Sequence, residues 1–171
     1  MALLLIDGRS GSGKTSLAEA LVARTGAPLV HVEHFYPGWR GLAAGARWLV
    51  DEVLVPWRRG KTVRLREWDW HRDRFEPGGL LPPGDDLVVE GCGAISRDSA
   101  PLADLAVWLD GDEPLRRRRA AARDGGDEWW DGWRAQEDAF YAAEGSRRLA
   151  DLVLGPDAGV DELLALLERR G

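Results

Sequence analysis

Apolar positions along the chain fall into two kinds of run. Short unbroken ones, Ala2 to Asp7, Pro28 to Val32, Asp86 to Glu90 and Leu105 to Leu109, have the length of buried strands and end at glycine or an acid. Leu152 to Leu154 supplies a fifth. Between these runs the period changes. Leu17, Ala18 and Leu21, within Lys14 to Arg24, share one helical face, as do Leu42, Ala46, Leu49, Val50 and Val53. The second of these helices is expected to end near Pro56, because proline disfavours helical geometry in the residue before it. Pro114 to Arg123 and Trp130 to Leu149 read as further helices, and Val160, Leu163, Leu164 and Leu167 mark the buried face of the last. Val63 to Glu67 alternates as a short strand or extended segment. Strands alternating with helices predict an α/β fold with a mostly parallel sheet covered on both faces. Ligands of such sheets gather at the carboxyl ends of the strands.

A length of 171 residues suits one domain, and the scattered proline and glycine mark no interdomain linker, so a single domain over residues 1–171 is expected. With 44% hydrophobic and 30% charged residues the composition is that of a globular protein. The opening apolar run is too short to span a bilayer and lacks a basic flank, which favours a cytoplasmic protein without a membrane partner. The single cysteine, Cys92, excludes an intramolecular disulfide and a cysteine-cluster zinc site. A net charge of −6 argues against nucleic acid as a partner. Only two lysines stand against 21 arginines, which makes the position of Lys14 informative. Asparagine is absent, so the Asn-Lys-x-Asp motif that reads guanine cannot occur, and ATP is the better nucleotide.

Gly8-Arg9-Ser10-Gly11-Ser12-Gly13-Lys14-Thr15 matches G-x-x-x-x-G-K-[ST] at every fixed position, after a strand and before a helix. Glycines let the backbone curl with its amides inward, and the helix beginning beneath them adds its dipole, so Gly8, Ser10, Gly11, Ser12, Gly13, Lys14, Thr15 and Ser16 form a candidate polyphosphate cradle. Lys14 would reach the β- and γ-phosphates, and the Thr15 hydroxyl would ligate Mg2+. A flexible glycine turn with an exposed lysine is the alternative.

Phosphoryl transfer also needs a held acceptor, metal-organising carboxylates and cations. Glu33, just past the second strand, is a candidate to accept a proton from a substrate hydroxyl, against the alternative of a solvated carboxylate. Glu90 ends a strand and is a candidate Mg2+ organiser. Asp110, similarly placed, reads better as a cap for the helix near Pro114. Arg116, Arg119 and Arg123 recur along one helical face ahead of Asp124-Gly125-Gly126, as an arginine-bearing lid over phosphate would require; a solvated basic face is the rival. Trp68, Asp69, Trp70, His71 and Arg72, with Tyr36 and Trp39, offer aromatic faces and polar groups for an acceptor pocket. Glu137 and Glu144 read as surface residues.

With these residues in view the chain resembles the uridine kinase-like small P-loop kinases across nearly its whole length. The resemblance rests on Ile6 to Thr15, Phe35-Tyr36-Pro37-Gly38-Trp39, Trp68-Asp69-Trp70, Val88-Val89-Glu90-Gly91 and Arg116/Arg119/Arg123-Asp124. It implies a five-stranded parallel sheet, a short arginine-bearing lid and transfer of the γ-phosphate of Mg-ATP to a hydroxyl of a nucleoside or similar small molecule. Related kinases usually carry aspartate where Glu33 stands, so the carboxylate here is one methylene longer. A nucleoside monophosphate or antibiotic acceptor, or a regulatory protein that binds ATP without transferring phosphate, are the alternatives.

Overall fold

The computed structural model describes residues 2–168. Five strands, β1 (Ala2–Asp7), β2 (Leu29–His31), β5 (Asp86–Glu90), β6 (Leu105–Leu109) and β7 (Leu152–Leu154), form a wholly parallel sheet in the order β2-β5-β1-β6-β7. These are the five expected strands. β1 runs through the middle because it is apolar on both sides: Leu3 and Leu5 pack into one hydrophobic cluster, Leu4 and Ile6 into the other. Helices α1 (Lys14–Thr25) and α7 (Val160–Glu168) cover the second face through Leu17, Ala18, Leu21 and Leu163. Leu167, expected on that face, lies outside the residues whose side chains are described.

The first face is covered by α2 (Leu42–Trp48), a π-helical turn (Leu49–Leu54), α3 (Val55–Arg58) and α5 (Trp130–Glu144). The helix expected to stop near Pro56 continues to Arg58. The wide turn ahead of Pro56 relieves the clash that the ring would make in an ordinary α-helix, so the apolar stripe carries Leu54 and Trp57 into the core. Conversely, the long helix expected from Trp130 to Leu149 breaks at Gly145, whose left-handed φ of 72° ends α5 before the short α6 (Ser146–Leu149).

Outside the main sheet, β3 (Val63–Asp69) and β4 (Arg74–Leu81) form an antiparallel hairpin. The segment beginning at Val63 was expected, but its partner was hidden by Pro77-Gly78-Gly79. A two-stranded ribbon tolerates those residues because it always has an open edge. Helix α4 (Glu113–Asp124) follows β6, and its cap is Asp112, which accepts from the Leu115 amide at 2.9 Å. Asp110, expected to do this, instead accepts from the Trp108 indole and the Arg147 guanidinium.

Register decides what meets at the sheet's carboxyl edge. Glu90 pairs with Ile6 of β1 on one side and His31 of β2 on the other, so its side chain stands beside the loop leaving β1. No helix among the described residues is long and apolar enough to cross a membrane. Truncating Leu5, fully buried at the sheet centre, to alanine should lower the unfolding free energy by about 2–5 kcal/mol. Denaturant melts check this, and a loss below the error of extrapolation would place the core elsewhere.

Candidate functional site

The turn leaving β1 is held in shape by its neighbours. Gly11 has φ 79°, and a Cβ there would overlap the Arg116 carbonyl of α4, so only glycine fits. Gly13, also left-handed, is the N-cap of α1. Among the described residues the Gly11 and Gly13 amides have no hydrogen-bond partner, while the Ser12 amide closes the turn onto Arg9 O at 3.1 Å. Free amides beside a helix start are the elements from which anion nests are built. Ser12 is buried beneath them and Ser16 is exposed in the first turn of α1.

Lys14 is buried, its Nζ 3.1 Å from Arg9 O and 3.6 Å from Cys92 Sγ. Burial would lower its pKa, but the surrounding carboxylates of Glu90, Asp7 and Glu137 help outweigh that and the pKa is raised, so the ammonium stays charged. Thr15 Oγ donates to Glu90 Oε2 at 3.3 Å, bringing together the two residues expected to organise a metal. The other oxygen, Oε1, holds His31 Nδ1 at 2.6 Å. That hydrogen bond raises the His31 pKa against the effect of burial. A hydroxyl and a carboxylate are hard oxygen donors of the kind Mg2+ accepts alongside phosphate and water, so the pair fits that ion. The described residues contain no cluster of three or more His, Cys, Asp or Glu arranged to cage a metal by themselves.

A buried network under the loop escaped the sequence reading. Asp7, with no exposed surface, accepts from the amides of Gly8, Gly93 and Ile95 and from Tyr141 OH. It thereby ties β1, the turn after β5, and α5 into one unit. Burial raises its pKa to about 6 despite those donors. Burial likewise pushes the Cys92 thiol up to about 12, so it packs as an inert side chain. Glu137 is the clearest correction: expected at the surface, it is 1% exposed and accepts from the Ser10 amide at 2.6 Å. The signal was present in the sequence. Trp130, Trp133, Glu137 and Tyr141 form one stripe on α5, and an acid within an apolar stripe calls for a buried partner.

The three arginines do not act as a row. Arg116 turns inward, donating to Gly111 O and Ser10 O. Arg119 donates to Pro156 O and pairs with Asp157 at 2.6 Å. Arg123 pairs with its neighbour Asp124. That hydrogen bond raises the Arg123 pKa, and the Glu33 carboxylate adds to the rise. Glu33 itself is exposed on the 3-10 turn Val32–Phe35 that follows β2.

Tryptophans form a wall on this side. Trp39 stacks on Trp129 with ring centroids 5.3 Å apart, touches Trp70 at 5.0 Å, and lies edge-on to Trp133. Trp39 and Trp70 are 53% and 43% exposed, a large apolar area left open. Tyr36 lies beneath, its ring against Trp133 and its hydroxyl donating to Cys92 O at 2.6 Å. Trp68 meets Phe75 edge-on within the hairpin. Asp69 accepts from the His71 and Arg72 amides and so shapes the hairpin tip, where both of those residues are exposed. The backbone bond from Arg72 leads in lowering the Asp69 pKa.

No protein-family model and no curated protein matches the sequence. Solved structures do match. A possible uridine kinase from Bacillus stearothermophilus is 22% identical, with 90% of this chain and 88% of that one covered at a TM-score of 0.64. A gluconokinase from Sinorhizobium meliloti is 20% identical, with 99% and 93% covered and a TM-score of 0.55. A shikimate kinase from Bacteroides thetaiotaomicron is 16% identical, with 98% of each chain covered and a TM-score of 0.60. The fold is therefore that of the small P-loop kinases.

The raised Asp7 pKa sets a sign for the pH dependence of stability. The folded protein holds a proton on Asp7 that the unfolded chain has released, so this group's stabilisation is full below about pH 3.8 and is lost as pH rises through about 6. Relative to Asp7→Asn, which has no such titration, the wild type should lose stability across that window. Melting curves of both proteins at several pH values test it; a gap that is flat or moves the other way would exclude a raised Asp7 pKa.

Proposed function

We propose that this protein is a Mg-ATP-dependent phosphotransferase acting on a hydroxyl of a small molecule in the cytoplasm. The observation that carries the proposal is the anion nest at the end of the central strand, with buried Lys14 beneath it and the Thr15–Glu90 pair beside it. A nest alone would suit any polyphosphate protein. The open tryptophan wall facing the same edge favours an enzyme with a second substrate over a regulatory protein that only binds ATP.

In this reading the Gly11, Gly13 and Lys14 amides and the Lys14 ammonium hold the β- and γ-phosphates. Lys14 leaves its contact with Arg9 O to do so. Thr15 and Glu90 would hold Mg2+, which supplies charge neutralisation on the phosphates. The acceptor lies against Trp39, Trp70 and Trp129, with Tyr36 supporting the wall from below. Glu33 orients the acceptor hydroxyl and takes its proton as the new oxygen–phosphorus bond forms and the bond between the γ-phosphorus and the bridging oxygen breaks, releasing ADP. Arg123, freed from Asp124, neutralises charge on the transferring group from the acceptor side. Arg119 flanks the nest next to Gly13, and Arg116 steadies the loop through Ser10 O. Trp68, Asp69, His71 and Arg72 set the hairpin rim that bounds the acceptor.

A planar ring is the acceptor feature that the wall suits best, because flat aromatic faces stack on tryptophan. That supports a nucleoside or nucleoside-like molecule over an acyclic sugar acid. Nucleoside monophosphates and ring-bearing antibiotics share the feature. With 22% identity to the possible uridine kinase, uridine itself is one member of the class to be tried.

Acceptor-dependent ADP formation with nucleosides, nucleotides, sugars and antibiotics tests the proposal; ATP bound but never consumed with any acceptor would favour the regulatory alternative. With the true acceptor, Lys14→Ala should lower kcat at least about 100-fold while the protein stays folded. Glu33→Gln should slow transfer by about 100-fold and leave ATP binding within a factor of about 2. Unchanged turnover by the Glu33 variant would remove Glu33 from the chemistry.

A further inference from the structure

Two buried carboxylates among the described residues, Asp7 and Glu137, take no part in the transfer scheme, and the second stands among cations. Apart from the Trp133 indole, the donors and cations around Glu137 belong to the phosphate loop or touch it. Oε1 accepts from the Ser10 amide at 2.6 Å, the Trp133 indole at 3.0 Å and the Cys92 thiol at 3.4 Å. Oε2 faces Arg9 at 3.5 Å and Arg116 at 3.9 Å. Cys92 Sγ in turn lies 3.6 Å from Lys14 Nζ. Arg9 has a second partner, Asp138 at 2.7 Å on the exposed side.

A buried ion pair is poor evidence for stability, since apolar groups of similar volume often do as well. A loop built to receive an anion has a different problem: until the anion arrives, its cations and amides are buried without a counter-charge. We propose that Glu137 is an internal counter-ion of the phosphate loop, holding Ser10, Arg9 and Arg116 in the nucleotide-free protein and opposing, by its charge, the triphosphate that enters the adjoining amides and Lys14. The inference rests on the reading of the loop as a triphosphate site. Two sets of negatively charged oxygens held by one short loop repel each other strongly. The carboxylate therefore keeps the empty loop formed and lowers the affinity of the filled one.

Glu137→Gln keeps the shape and an acceptor for the Ser10 amide while removing the charge. By isothermal titration calorimetry the variant should bind Mg-ATP about tenfold more tightly than the wild type. Its nucleotide-free melting temperature should fall, and the rise on adding Mg-ATP should be larger. A merely structural role predicts the opposite sign for affinity, so equal or weaker binding by the folded variant overturns the inference. The wild type offers a second measurement that does not depend on the variant folding. The indole N–H signal of Trp133, assigned with Trp133→Phe, should move during a Mg-ATP titration as the carboxylate withdraws; a signal unchanged at saturation overturns the inference. Wild-type protein that takes up no Mg-ATP overturns both this inference and the triphosphate reading, whereas wild-type binding without the variant's gain overturns this one alone.

Discussion

A loop that offers its amides to a ligand cannot spend them on holding itself together. The rest of this structure depends on how that constraint is met. The turn after β1 is fixed from outside, by Asp7 and Glu137 below and by the backbone of α4 against Gly11. Asp7 gathers amides from the two turns that leave adjacent strands and a hydroxyl from α5. Its burial is costly enough to push its pKa to about 6, and the donors around it offset that cost. The sheet therefore delivers strand ends, and the buried carboxylates turn those ends into a rigid cradle.

The same helix serves both sides of the site. On α5, Trp133 packs on Tyr36 and Trp39, while Glu137, one turn on, bonds the loop. The Trp133 indole donates to that carboxylate at 3.0 Å. The tryptophan wall and the phosphate loop are thus joined through neighbouring turns of one rigid element, which fixes the separation between the proposed acceptor and the proposed phosphoryl donor. Fixed separation is what phosphoryl transfer demands of a protein, since positioning and charge provide nearly all of the catalysis. Beside the loop, Arg119 reaches the segment after β7, while Arg123 pairs with Asp124.

Local signals carried the fold well. Runs such as Leu3 to Ile6 are apolar on both faces, which only a central strand can bury, and the glycine spacing of residues 8–13 admits few backbones. Thr15 is legible from the glycine-loop motif and Glu90 from its place at a strand end, and the fold brings the two within 3.3 Å. What stayed hidden was decided by distant partners. The apolar stripe on α5 marks Glu137 as buried, but which groups it holds depends on partners 127 residues away at Ser10 and 45 away at Cys92. Regular spacing put Arg116, Arg119 and Arg123 on one face, yet each found a different acceptor, because a long guanidinium follows the nearest carbonyl or carboxylate rather than the helix period. Strand β4 was missed for a local reason, its Pro-Gly-Gly run, which marks a turn in most contexts but sits here in a ribbon with a free edge.

The central claim is that the main-chain amides at the end of β1 bind the phosphates of a nucleoside triphosphate. Backbone amide NMR during a Mg-ATP titration reads those groups directly. The account predicts large, saturable shifts of the Gly11, Gly13 and Lys14 amides, ahead of any change elsewhere in the sheet. Folded protein whose Gly11, Gly13 and Lys14 amides stay fixed at millimolar Mg-ATP, about the ordinary upper range for a substrate constant, would contradict it.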